Sequence, residues 1–108
     1  MLNIRVNAQH FTADQKLLDF IQKKMAKLER YFKREVDVEV SLKLQDTGSR
    51  IHDKITEIRL NSHSGWVVDR KIANTFEDAI NASIDTLRRQ LVEKKDRLQH
   101  RGKRASDN

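Results

Sequence analysis

The chain has 108 residues, 37% of them hydrophobic, with no cysteine and a net charge of +6. That length fits one domain with one core, and the missing cysteines exclude disulfides and thiolate zinc sites. No apolar run approaches the roughly 20 residues that span a bilayer, and the first residues lack the charged-then-apolar layout of a secretory signal, so a cytoplasmic protein with no membrane partner is the expectation.

Leu2, Ile4 and Val6 alternate with Asn3, Arg5 and Asn7, which predicts a strand over 2–7 with one buried face. Thr12 and Gln15 form a capping-box pattern ahead of a helix over about 13–32. Its apolar residues Leu17, Leu18, Ile21, Met25, Leu28 and Phe32 share one arc, while Lys16, Lys23, Lys27, Arg30 and Arg34 share the opposite one. Val36, Val38, Val40, Leu42 and Leu44 mark a strand over 35–44, followed by turn residues Asp46 to Ser49. A third strand, about 52–62, is less regular: Ile55, Ile58 and Leu60 do not share one parity, which points to a bulge or register change. Residues 66–73 read as a fourth strand, with Trp66 beside Gly65 as its partly buried anchor. Thr75 and Asp78 repeat the capping signal, and Phe76, Ala79, Ile80, Ile84, Leu87, Leu91 and Leu98 set out a second helix to about 98. The basic tail, 99–108, has no apolar period and reads as disordered.

The element order is therefore βαβββα. A right-handed crossover makes the first two strands parallel, and two short turns make the last three an antiparallel meander. This is an α+β fold, a four-stranded mixed sheet with two parallel helices packed on one face. Residues 13–34 carry seven bases against three acids, residues 35–74 six against seven, and residues 75–108 eight against six. The basic excess thus sits on the helices, where Arg88, Arg89, Lys94, Lys95 and Arg97 cluster toward the end of the second. One basic helix face is usually a solvated surface; two lying side by side form a surface suited to phosphates.

Other chemistry finds little support. His10, His52, His63 and His100 are too scattered for a metal-ligand pattern, and Asp37 and Glu39 lie on a strand with no nucleophile or base motif beside them. No cofactor, metal or catalytic residue is expected. An acylphosphatase-like enzyme would need a glycine-rich phosphate loop after the first strand, where this chain has Asn7-Ala-Gln-His-Phe-Thr12. A general double-stranded RNA-binding domain is the alternative within the nucleic-acid class.

Lys24-Met-Ala-Lys-Leu-Glu-Arg-Tyr-Phe32, with Ala79-Ile-Asn-Ala-Ser-Ile-Asp-Thr-Leu-Arg-Arg-Gln-Leu91 and Lys95-Asp-Arg-Leu98 at their separation, resembles the ribosome hibernation factors, the sigma-54 modulation protein family of the hibernation promoting factor and the ribosome-associated inhibitor. The resemblance covers residues 1–98, which are read as the ribosome-binding domain. It implies a non-enzymatic factor that binds the small (30S) ribosomal subunit in the decoding channel for messenger and transfer RNA, through basic helices on 16S ribosomal RNA, blocking translation and stabilising inactive ribosomes. It implies further that Lys24, Lys27, Arg30, Arg88, Arg89, Lys95 and Arg97 hold the RNA, to which the basic pattern adds Lys16, Lys23, Arg34 and Lys94. A ribosome modulation factor enters as a second partner. The chain resembles the short members, which lack a dimerising C-terminal domain, so the free protein is expected to be a monomer. Two departures stand out: Glu93 occupies a place where relatives more often have a base, and Phe76-Glu-Asp78 replaces a more aromatic segment.

Overall fold

A computed structural model describes residues 2–45, 53–62 and 65–107, the stretch 95–107 as backbone. Four strands, β1 (Leu2–Ala8), β2 (Val36–Leu44), β3 (Lys54–Ser62) and β4 (Gly65–Ala73), form one sheet in that order. β1 runs parallel to β2, and the other two pairs are antiparallel, as a right-handed crossover followed by a meander requires. Helices α1 (Gln15–Met25) and α2 (Phe76–Asp107) cover one face. Val36, Val38, Val40 and Leu42 point into that layer, and the residues between them do not. They meet Leu17, Ile21, Met25 and Leu28 from the first helical segment and Phe76, Ile80, Ile84, Leu87 and Leu91 from α2 in one core.

Several expectations give way. The first helix is not capped by the Thr12–Gln15 box. Asp14 is the cap, its Oδ1 accepting from the Leu17 amide at 2.8 Å, and Gln15 instead donates to Asp19 one turn on. A carboxylate is favoured there over a hydroxyl because it also answers the positive end of the helix dipole. At Thr75 the capping signal does operate: its Oγ1 accepts from the Asp78 amide at 3.0 Å. The single helix expected over 13–32 divides into α1 and a 3-10 segment, Ala26–Tyr31. Residues three apart eclipse in 3-10 winding, so Met25, Leu28 and Tyr31 all reach the core from one side.

β3 has no bulge. It pairs in unbroken register with β2 and β4. The parity problem has a different cause: Thr56 takes the inward position that a strict apolar pattern would give to an aliphatic, while Ile55 faces the opposite side of the sheet. Helix α2 also passes its expected end at 98, and the stretch 99–107 read as a disordered tail continues it as far as Asp107. The segment lacks proline, and Lys and Arg near a helix C-terminus complement its dipole, so composition alone does not stop the helix. The turn expected over 46–49 lies outside the described residues.

Thr56 is fully buried, and its hydroxyl has no hydrogen-bond partner among the described residues. Removing a buried, unpaired hydroxyl without changing shape relieves a desolvation cost of about 1 kcal/mol or more. Thr56→Val is therefore expected to raise the melting temperature by several degrees; thermal unfolding that shows the same or a lower midpoint would contradict this assignment. Leu87, fully buried in α2, gives the opposite control, since truncation to Ala is expected to cost about 2–5 kcal/mol.

Candidate nucleic-acid interface

With both apolar stripes turned toward the sheet, the outer sides of the two helical segments become neighbours. The 3-10 turn then does something that an α-helical wheel does not anticipate. It brings Lys24, Lys27 and Arg30, each three residues from the next, into one column. Across from that column, α2 presents Asn81, Asp85 and Arg88, spaced four and three residues apart and hence on one helical face. Together with Ala26 and Ile84 they line a groove of about 530 Å³. A neighbouring depression of about 440 Å³ shares Arg30 and Arg88 and adds Tyr31, Arg89, Val92 and Glu93. Arg30 and Arg88 thus belong to both, and the two form one cationic surface with an acid in each half.

The column is crowded. The Lys24 ammonium is held below its ordinary value of 10.5, first by the positive charge of Lys27, then by partial desolvation and by its contact with the Lys27 amine; Asp85 across the groove pulls the other way. Its Nζ also lies 5.4 Å from the centre of the Phe20 ring. Arg30 is held in place by the residue that follows it. It donates to the Tyr31 hydroxyl at 2.8 Å, and its guanidinium carbon sits 5.0 Å from the ring centre, while Tyr31 itself packs against the core. A guanidinium fixed in this way presents its remaining donors outward, the geometry that suits a phosphate oxygen pair.

The basic residues picked out by sequence do not all converge. Lys24, Lys27, Arg30, Arg88 and Arg89 do. Lys16, Lys23 and Arg34 are exposed but line neither depression. Lys94 is half-buried and leans toward the start of β4, its Nζ 3.9 Å from where a side chain on Gly65 would begin. The side chains of Lys95 and Arg97 lie outside the described residues. Asn81 and Asp85 were not picked out, although their spacing from Arg88 carries the signal, because a search for like charges passes over an amide and an acid. Among the described residues, no cluster of His, Asp and Glu is placed to hold a metal ion, and no helix is long and apolar enough to cross a membrane.

The other face of the sheet differs from expectation. Trp66 is no buried anchor: it is 59% exposed and lies on the open face, and Val68 and Ile72 are exposed along the same strand. The apolar residues are therefore not all consumed by the core.

Residues 4–99 match the model of the family described as Sigma 54 modulation protein / S30EA ribosomal protein. The chain is similar to a ribosome hibernation promoting factor of Pseudomonas putida, 29% identical over 98 residues that cover 91% of each. In structure it is similar to the N-terminal domain of Protein Y from Thermus thermophilus, with a TM-score of 0.69 at 23% identity, covering 80% of this chain and 90% of that one. It is also similar to a ribosomal subunit interface protein from Coxiella burnetii, with a TM-score of 0.68 at 13% identity, covering 88% and 98% of the two chains. At these identities the two structures establish the fold.

The crowding of Lys24 makes a test of the groove as an anion site. A bound phosphate favours the ammonium, so Lys24 has a higher pKa bound than free; affinity is then fully present below the free pKa and is lost as the pH rises from the free value through the bound one. Binding to RNA is expected to begin weakening in the alkaline range below 10.5, before ordinary lysines titrate. Lys24→Arg, whose guanidinium stays charged, is expected to flatten that profile in a filter-binding titration across pH. A profile that is the same in both proteins would remove Lys24 from the contact.

Proposed function

The chain belongs to the Sigma 54 modulation protein / S30EA ribosomal protein family, and from that premise we propose that it is a ribosome hibernation factor that acts by occupying the small subunit. The observation that carries this reading is the meeting of Lys24, Lys27 and Arg30 with Arg88 and Arg89 on one surface, above a core that fixes both helices. A stretch of RNA backbone laid along the groove offers phosphates to both walls, and Asn81 adds a neutral donor. In this reading the target is 16S ribosomal RNA lining the decoding channel, and the mechanism is steric. A folded domain that fills the channel excludes messenger and transfer RNA by volume, so translation stops without any bond being made or broken. The protein is then no enzyme, works in the cytoplasm, and is a monomer before it meets the ribosome.

The groove favours a surface contact of this kind over a catalytic one. Its polar groups are cations, an amide and a carboxylate that offsets one of the cations, all on a solvent-facing surface. Phosphate contacts supply affinity without reading sequence, which leaves specificity to the shape of the site that receives the domain. The sheet also includes β1, a strand ahead of α1 that pairs parallel to β2 and that a double-stranded RNA-binding domain lacks.

Reversing Lys27, Arg30, Arg88 and Arg89 to Glu is expected to abolish cosedimentation with purified small subunits, while the circular dichroism spectrum and melting temperature stay close to those of the parent, as exposed substitutions usually allow. Cosedimentation unchanged in the folded variant would refute the assignment. Equal affinity for any free A-form duplex and for the small subunit would favour the general RNA binder instead.

A further inference from the structure

The open face of the sheet carries an arrangement that the helix surface does not use. Asn3 pairs with Asp37, Asp37 with Asn61 and Asn61 with Trp66, so these four side chains form one row across all four strands, each exposed and on the side away from the helices. Asn3 donates to the Asp37 carboxylate at 3.4 Å. From the next row, the Arg59 guanidinium carbon lies 5.2 Å from the centre of the Trp66 ring. A depression of about 590 Å³ extends over these residues.

We propose that this row is a nucleobase site, separate from the phosphate-binding helices, which takes an unpaired guanine of single-stranded RNA by stacking on Trp66 and reading its edge with Asp37. An exposed indole on a sheet offers a flat face to any base, and stacking of this kind is a common way for proteins to hold single strands. Preference among bases comes from the neighbours. Strands lie roughly 4.8 Å apart, so Asn61 is one strand from the indole and Asp37 two, within the reach of a purine stacked there. A carboxylate accepts only, and guanine is the base whose pairing edge presents two adjacent donors, its ring N–H and its amino group. Arg59 lies over one face of the indole, which leaves the opposite face to the base, and supplies a cation for the flanking phosphate.

Two other occupants fit less well. An extended peptide added to the outer edge of β4 would run alongside a strand whose helix-facing side carries Asp69 and Lys71, bonded to each other at 2.8 Å; inward charges on an edge strand are a recognised guard against added strands. A second copy of the chain would need a continuous apolar patch, and here Arg70 interrupts Trp66, Val68 and Ile72.

Trp66 is the only tryptophan, so its fluorescence reports the site directly. Titrating the full chain with the pentanucleotides UUGUU, UUAUU and UUUUU is expected to give saturable quenching, with UUGUU binding several-fold more tightly than the other two. Asp37→Ala is expected to erase that preference while leaving the quenching. With a labelled UUGUU read by anisotropy, Trp66→Ala is expected to lose about tenfold in affinity and Trp66→Phe much less. The four-fold charge reversal on the helices is expected to leave the quenching in place, which separates this site from the ribosome-binding reading. The proposal is overturned if no pentanucleotide quenches saturably, if guanine has no advantage, if the helix variant abolishes the signal, or if the emission shifts with protein concentration in the absence of RNA, the mark of a second copy on this face.

Discussion

The ammonium group of Lys24 is held so near that of Lys27 that its charged form is disfavoured. Their closeness follows from the core. Met25 and Leu28, the inward residues between and beside them, are fully buried, and the 3-10 winding that allows this sets the outward residues in register as well. The repulsion is modest at a solvated surface, small beside the burial of the aliphatic side chains beneath it. The fold therefore carries a cationic column that favours an anion without being undone by the lack of one. Asp85 offsets part of the charge from across the groove.

Much of this was legible in the sequence, for reasons that can be located. The period-two run of Val36 to Leu42 and the period of α2 both arise from burial on one side, the strongest signal that a chain writes. Element order and connection length then left one topology, since the crossover is right-handed and the turns are short. What failed was local. A helical wheel at 100° per residue put Lys16, Lys23 and Arg34 in line with Lys27 and Arg30, but the winding changes after Met25 and brings Lys24 into line instead. Thr56 broke the parity of β3 because a polar residue fills an inward position, an exception that apolar counting misreads as a bulge. Asp14 displaced Thr12 as the cap because both lie within three residues of the helix start and pattern alone does not rank them.

The sheet's two faces show the same limit from another side. Apolar character alone reads Trp66 as a partly buried anchor, whereas Trp66, Val68 and Ile72 lie exposed along one side of β4. Apolarity carries no account of what an exposed indole is for. That became visible only when the strand register placed Trp66 in one row with Asn61, Asp37 and Asn3, residues separated by more than half the chain. Long-range pairing of this kind is set by topology, not by any local spacing.

If the paired helices bind through phosphates, the salt dependence of binding to purified small ribosomal subunits reports it. Plotting log K against log salt concentration for the parent and for variants in which Lys27, Arg30 and Arg88 are neutralised one, two and three at a time counts the ions released. If those side chains each neutralise a phosphate, the slope becomes shallower by roughly one unit with each cation removed. A slope that stays constant across the series, whatever the change in affinity, would contradict the account.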